Sequence, residues 1–183
     1  EGFSLTDGTN TFTAVAQDAA GRSDTKVVTA YLPASATFQY DDNGNLTGDG
    51  RMGFDYDDEN QLIRITVTNA WKSEFTYDGK LRQRVRKEFA WQNSTWVKTE
   101  EVRYVYDGNL IIQERDANNL PQVSYTRGLD LSGTRQGAGG IGGLLARSAL
   151  NSQPSTHAYY HADGNGNITC LINEKQAIVA KYS

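Results

Sequence analysis

Gly137-Ala138-Gly139-Gly140-Ile141-Gly142 matches G-x-G-x-x-G, the spacing with which backbone amides close on a dinucleotide pyrophosphate, and Asp163 stands at about the distance downstream where a ribose-binding acid would fall. That chemistry needs a buried apolar strand before the glycines and a helix after them. The preceding Gly128-Leu129-Asp130-Leu131-Ser132-Gly133-Thr134-Arg135-Gln136 is polar and broken by glycine, so the segment reads as a structural turn. Asp163-Gly164-Asn165-Gly166-Asn167 places oxygens at alternate positions, with Glu174 where the twelfth position of a calcium loop would be. Ile168 stands where that loop needs glycine and Leu171 takes the ninth position, so this is a turn, with weak calcium binding as the rival reading.

His157 and His161 are the two histidines, four apart in a strand-like stretch, without the helical spacing that a zinc pair exploits. Cys170 lies inside an apolar run, the setting of a packed thiol more than a reactive one. Arg82, Arg84 and Arg86 alternate as on the solvated face of a strand, and no Gly-x-Ser-x-Gly positions a hydrolase nucleophile. No catalytic, cofactor-binding or metal residue is therefore assigned, and no cofactor is expected.

The elements that would carry these residues are strands. In 183 residues, 18 Gly and 10 Tyr against 3 Pro and one Met suit many short strands joined by tight turns. At 38% hydrophobic the chain can bury only a modest core. A net charge of −4 provides no basic field for phosphates, so nucleic acid is not an expected partner. One cysteine forms no intrachain disulfide, and no stretch reaches the roughly 18 apolar residues of a spanning helix. Glu1-Gly2-Phe3-Ser4 lacks the pattern of a signal peptide.

Residues 1–33 read as strand, turn, strand: Thr11–Ala16, an Asp18-Ala19-Ala20-Gly21 turn, then Thr25–Tyr31. They resemble the last two strands of a bacterial immunoglobulin-like domain, and Leu32-Pro33-Ala34-Ser35 marks a boundary. From Thr37 on, one unit recurs: aromatic, any residue, Tyr, Asp, a Gly/Asn turn, then an apolar residue. Its copies are Phe38–Asp41, Phe54–Asp57, Phe75–Asp78 and Tyr104–Asp107, with the tyrosines 16, 21 and 29 residues apart. Each copy ends one strand, makes a turn and begins the next.

Tyr56-Asp57-Asp58-Glu59-Asn60-Gln61-Leu62 resembles a YD repeat, and the stretch from Tyr104 to Glu114 resembles the start of an Rhs repeat-associated core. Tyr125–Gly133, Gly139–Arg147 and Tyr159–Thr169 fit that core in the same order, so the resemblance covers residues 37–183. It implies an all-β fold: a curved antiparallel sheet of β-hairpin YD repeats, part of a spiralling shell, preceded by the end of an Ig-like domain. The expected division is 1–33 for the Ig-like strands, 34–103 for YD repeats and 104–183 for a truncated core. The family's Tyr-Asp-Pro-Phe-Gly stretch, cleavage region and toxin would follow Lys181-Tyr182-Ser183.

The implied function is that of a structural shell segment enclosing or presenting a C-terminal toxin or effector, in a bacterial protein that is secreted or held at the cell surface, and not an enzyme. Its partners would be the flanking parts of the parent and the cargo, with no membrane insertion. The alternative is an adhesion or carbohydrate-binding module, with a glycan or surface partner. Two structural expectations follow. Asn93-Ser94 as a two-residue turn pairs Gln92 with Thr95, Trp91 with Trp96, Lys87 with Glu100, Arg86 with Glu101 and Val85 with Val102. The first and last strands should be open edges, and the concave face should hold more of the aromatics.

Overall fold

In the computed structural model, which describes residues 4–151 and 156–182, every regular element is a strand. No helix among the described residues is long and apolar enough to cross a membrane. Glu1–Phe3 and Ser183, considered above for targeting and for the chain's continuation, lie outside the described residues. The chain divides into two compact units, residues 1–51 and 52–183.

The first unit contains β1 (Gly8–Gln17), β2 (Ser23–Leu32), β3 (Gln39–Tyr40) and β4 (Leu46–Gly48). β1 and β2 pair antiparallel along ten residues, Gly8 opposite Leu32 through Gln17 opposite Ser23, around the Asp18 turn. β3 and β4 form a short hairpin with Tyr40 opposite Leu46.

The second unit contains β5 (Gly53–Tyr56), β6 (Leu62–Val67), β7 (Trp71–Tyr77), β8 (Gln83–Gln92), β9 (Thr95–Asp107) and β10 (Leu110–Arg115), then β11 (Pro121–Arg127), β12 (Leu144–Ala149), β13 (Thr156–Ala162), β14 (Ile168–Asn173) and β15 (Ile178–Lys181). From β6 to β14 each strand pairs with the one before it and the one after it in sequence. The result is an open, curved antiparallel sheet of hairpins in strict chain order. The outer side of β15 has no partner strand among the described residues.

The turns explain why the sequence folds this way. Among the described residues eight share one five-residue geometry, starting at Asp18, Asp41, Asp57, Asp78, Asp116, Asp130, Asp163 and Asn173. In each, the first residue's amide donates to the carbonyl of the fifth, and the fourth residue's amide donates back to the carbonyl of the first. In seven of them the first side chain's Oδ1 also accepts the amides of the third and fifth residues at 2.8–3.2 Å. The fourth residue always has positive φ, from 60° to 84°. Glycine takes that conformation without a steric penalty and asparagine tolerates it, whereas Leu81 and Gln176 adopt it against their preference.

Leu81 is 65% exposed, so its side chain gains little packing in return. Exchanging it for glycine should raise stability by about 1 kcal/mol, less the extra freedom given to the unfolded chain. A lower denaturant midpoint for Leu81→Gly would show that packing of the leucine outweighs its strain.

The YD tyrosines add a second repeated bond. The Tyr77 hydroxyl donates to the carbonyl of Leu62 at 2.8 Å and the Tyr106 hydroxyl to that of Gln83 at 2.7 Å. Each acceptor begins the strand after the preceding Asp turn, so each of these two tyrosines ties its own hairpin to the previous one. The copy at Tyr106-Asp107 departs from the others: Asp107 lies directly opposite Leu110, leaving a two-residue turn with Gly108 at φ 59°.

The long β8–β9 hairpin confirms part of the expected register and corrects the rest. Asn93 and Ser94 are the two turn residues, both with positive φ, and Gln92 faces Thr95. Trp91 faces Trp96, with ring centroids 4.9 Å apart in an edge-to-face arrangement. Arg86 faces Val102, not Glu101, because a β-bulge at Thr99 shifts the pairing by one residue. Lys87 consequently faces Glu101, Glu88 faces Glu100 and Val85 faces Arg103. The Thr99 hydroxyl donates to the Glu88 carbonyl at 3.2 Å, which fixes the bulge. Arg86 still reaches an acid, since its guanidinium lies 3.0 Å from Glu100 on the diagonal.

The core is thin. Among the described residues the buried apolar side chains are Val102, Leu110, Val123, Ala146 and Leu171, and none of the large ones is fully enclosed. A single sheet layer cannot exclude water from both faces, so cross-strand pairs and capped turns supply much of the order.

Candidate functional site

The glycine-rich segment lies in the loop between β11 and β12, and no helix follows it. Its amides do bind an anion, but the anion is the chain's own. Asp130, 5% exposed, accepts the amides of Ala138 (2.7 Å) and Gly140 (3.1 Å) at Oδ2, and the amide (3.0 Å) and hydroxyl (2.6 Å) of Ser132 at Oδ1. The Ser132 hydroxyl, then the Ala138, Gly140 and Ser132 amides, hold the Asp130 carboxyl down at about 2. Gln136 fastens the loop to the β9–β10 turn, accepting the Asn109 amide at 2.9 Å and donating to the Asp107 carbonyl at 3.1 Å. Gly140 lies against Leu110, where a Cβ would collide with the leucine side chain. The motif is thus an anion nest already filled, sealing one end of β10.

At the calcium-like stretch both Asp163 oxygens are used within the turn, with Oδ2 taking the Asn167 side-chain amide at 3.0 Å. His157 bonds the Ser148 hydroxyl at 2.8 Å and lies 3.7 Å from Glu174, while His161 bonds Thr169 at 2.9 Å. Among the described residues no group of three or more His, Cys, Asp or Glu side chains is gathered for a metal. Cys170 is half-buried opposite His161.

The solvated basic ladder needs correction. Arg82 precedes β8, bonds Asp78 at 2.7 Å, stacks 4.8 Å over the Tyr106 ring and donates to the Gly108 carbonyl. Arg84 lies 3.5 Å from Asp78, and Arg86 spans Glu88 and Glu100. These arginines bind neighbouring hairpins together. Their acids lie in the Asp78 turn and on β8 and β9, which alternation alone does not reveal.

A different group of side chains comes together on one face of β9–β14. Register places Tyr104 opposite Glu114, and Tyr125 opposite Arg147, which in turn faces Ala158. Alternation along β11 and β13 sets Arg127 and Tyr160 on the same face. The Tyr125 hydroxyl donates to Glu114 Oε1 at 2.7 Å. Burial first, then this bond to a carboxylate, pushes the Tyr125 phenol far above its ordinary value. Burial likewise raises Tyr160, while Arg147 and Arg127 both act on it in the opposite sense. Burial lowers Arg127, whose Nε donates to the Ile111 carbonyl at 2.9 Å.

Among the described residues neither Arg127 nor Arg147 has a carboxylate within ion-pair distance. This cluster is not legible in the sequence, because Arg127 and Arg147 lie on either side of the glycine-rich loop and only β11–β12 pairing joins them. Next to it is an open cavity of about 570 Å³, with Val102 and Val123 among its lining residues and Arg147 at its rim.

No protein-family model matches the chain. Over 150 residues it is 27% identical to a tRNA3(Ser)-specific nuclease WapA of Bacillus spizizenii and 28% identical to a tRNA nuclease WapA of Bacillus subtilis strain 168. It is 27% identical over the same length to a tRNA(Glu)-specific nuclease WapA of Bacillus subtilis subsp. natto. Each match covers 80% of this chain and 5% of the relative, so the chain spans about one twentieth of the length of these curated relatives. The similarity is consistent with an Rhs-type chain, and the nuclease activities named belong to those proteins as wholes.

Proposed function

We propose that this chain is a shell segment of an Rhs/YD-repeat protein, enclosing or presenting a C-terminal toxin or effector of its parent, in a bacterial protein exported to the cell surface or beyond. Strict sequential pairing of the hairpins carries the reading. A sheet that grows by one hairpin per repeat, with turns of one geometry, forms a wall whose length is set by repeat number. The match to a small part of much longer nucleases supports it, since a wall segment is a minor share of a protein that also carries a cargo.

The proposed role assigns no catalysis to this segment. Asp130 in the glycine-rich loop spends both oxygens on its own loop, and the hydroxyl–imidazole pair Ser148–His157 is read as a bond between facing strand residues. The adhesion reading asks for a row of outward aromatics. The exposed ones in the second unit, Trp71, Tyr159 and Tyr182, are scattered along the chain and form no such row.

Two measurements test the proposal. In the parent protein, trypsin should spare the domain beyond this segment while the segment is present and degrade it once residues 52–182 are deleted. Equal digestion of the two proteins overturns the enclosing role. Purified chain incubated for hours with total tRNA should leave it intact, and cleavage at defined bonds overturns the non-catalytic role.

A further inference from the structure

Among the described residues Arg127 and Arg147 are cations without an anion in ion-pair range. Both are half-buried and both act on the Tyr160 phenol, and Glu114, an acid on the same face, is engaged by the Tyr125 hydroxyl. Arg127 uses its Nε on the Ile111 carbonyl, which anchors the side chain and leaves its terminal nitrogens without a bond among the described residues. A guanidinium removed from water without a counter-charge is costly, and folding tolerates the cost more readily where a partner brings the missing charge. The planar fork of arginine fits the two oxygens of one carboxylate.

We propose that this face binds an acidic peptide segment, seating one of its carboxylates between Arg127 and Arg147 with the Tyr160 hydroxyl as a further donor. The site stands on these residues alone and holds whether or not the chain forms part of a shell. The surroundings define the rest of the ligand. Val123 and Leu171, buried on the same face, provide an apolar floor for a hydrophobic residue beside the acid. Glu100 and Glu114 border the same region, and the chain as a whole carries −4. A polyphosphate backbone would meet those acids at every step, whereas an isolated carboxylate fits between the two arginines. A peptide alternating acidic and apolar residues therefore suits the face better than a nucleic acid.

The test uses the full chain and three probes: a capped pentapeptide alternating leucine and glutamate, its glutamine counterpart, and a five-nucleotide oligothymidine. Arginine Nε–H resonances in a nitrogen-15 spectrum are followed during titration. The glutamate peptide should shift Arg127 and Arg147 saturably, and the glutamine peptide should not. Arg127→Gln with Arg147→Gln should weaken binding at least tenfold, and Tyr160→Phe should weaken it several-fold with the thermal midpoint unchanged. Should the double variant fail to fold, the spectra of the unaltered chain and of Tyr160→Phe still decide. Absence of saturable shifts at the two arginines, equal binding of the glutamine peptide, or preference for the oligonucleotide each overturns the proposal.

Discussion

Substituting Asp130 by asparagine should lower the thermal midpoint by roughly 10 °C, while the same change at Asp163 should move it by no more than about 2 °C. The contrast follows from which oxygens are needed. At Asp163 only Oδ1 caps the backbone, Oδ2 takes the Asn167 side-chain amide, which can turn its own oxygen towards an asparagine, and Asn173 shows that an asparagine caps the last turn. At Asp130 both oxygens accept: Oδ1 from Ser132, Oδ2 from the amides of Ala138 and Gly140. An asparagine must point its NH₂ at one of these donor sets, leaving buried donors facing a donor. Hydrogen exchange at the Ala138 and Gly140 amides should accelerate in Asp130→Asn, because the loop that covers Leu110 loses its clasp. Equal effects at the two positions would refute the distinction.

Stability should form a plateau between about pH 5 and pH 10 and fall on both sides. Arg82 holds Asp78 well below the usual carboxylate range, and Asp130 is held at about 2. Bonds from Arg22, Asn45 and Asn167 lower Asp18, Asp41 and Asp163 respectively. Since these values lie below the 3.8 of an unfolded aspartate, the unfolded chain takes up protons first as acid is added. The stabilisation is complete above the unfolded value and is lost as pH falls from about 4 towards 2. On the alkaline side burial raises Tyr77, Tyr104, Tyr106, Tyr125 and Tyr160 above 10.0. There the unfolded chain ionises first, so stability is present below pH 10 and is lost as pH rises beyond it. Urea midpoints measured from pH 2 to pH 11 check both limbs. A steep decline between pH 5 and pH 9 would contradict the assignment.

The residues that set local geometry were readable in the sequence. Asn93-Ser94 between facing tryptophans fixed its hairpin, and the Tyr-Asp copies marked turns, because turn chemistry depends on four or five neighbouring residues. Thr99 was not readable: a bulge depends on how two strands twist together, and threonine is common in regular strands. The turn proved broader than the Tyr-Asp motif. Asp116 and Asn173 make it without a preceding tyrosine, whereas Tyr106-Asp107 has the motif and makes another turn. The invariant feature is an Asp or Asn followed three residues later by a residue of positive φ. The Arg127–Arg147 cluster was hidden for another reason, since it exists only through cross-strand register.

Sequential pairing has a mechanical consequence. From β6 to β14 every strand is held by its immediate sequence neighbours, so among the described residues a pull on β15 loads its ladder with β14, anchored at Cys170–Lys181, Leu171–Ala180 and Ile172–Ile178. Such a sheet should peel like a zip, one strand at a time and at low force, where a fold with its termini at opposite ends of long parallel ladders would resist until it sheared. A polypeptide that must be drawn through a narrow passage and rebuilt on the far side gains from this geometry: extraction proceeds in small steps, and each hairpin can re-form from its own turn before the next arrives.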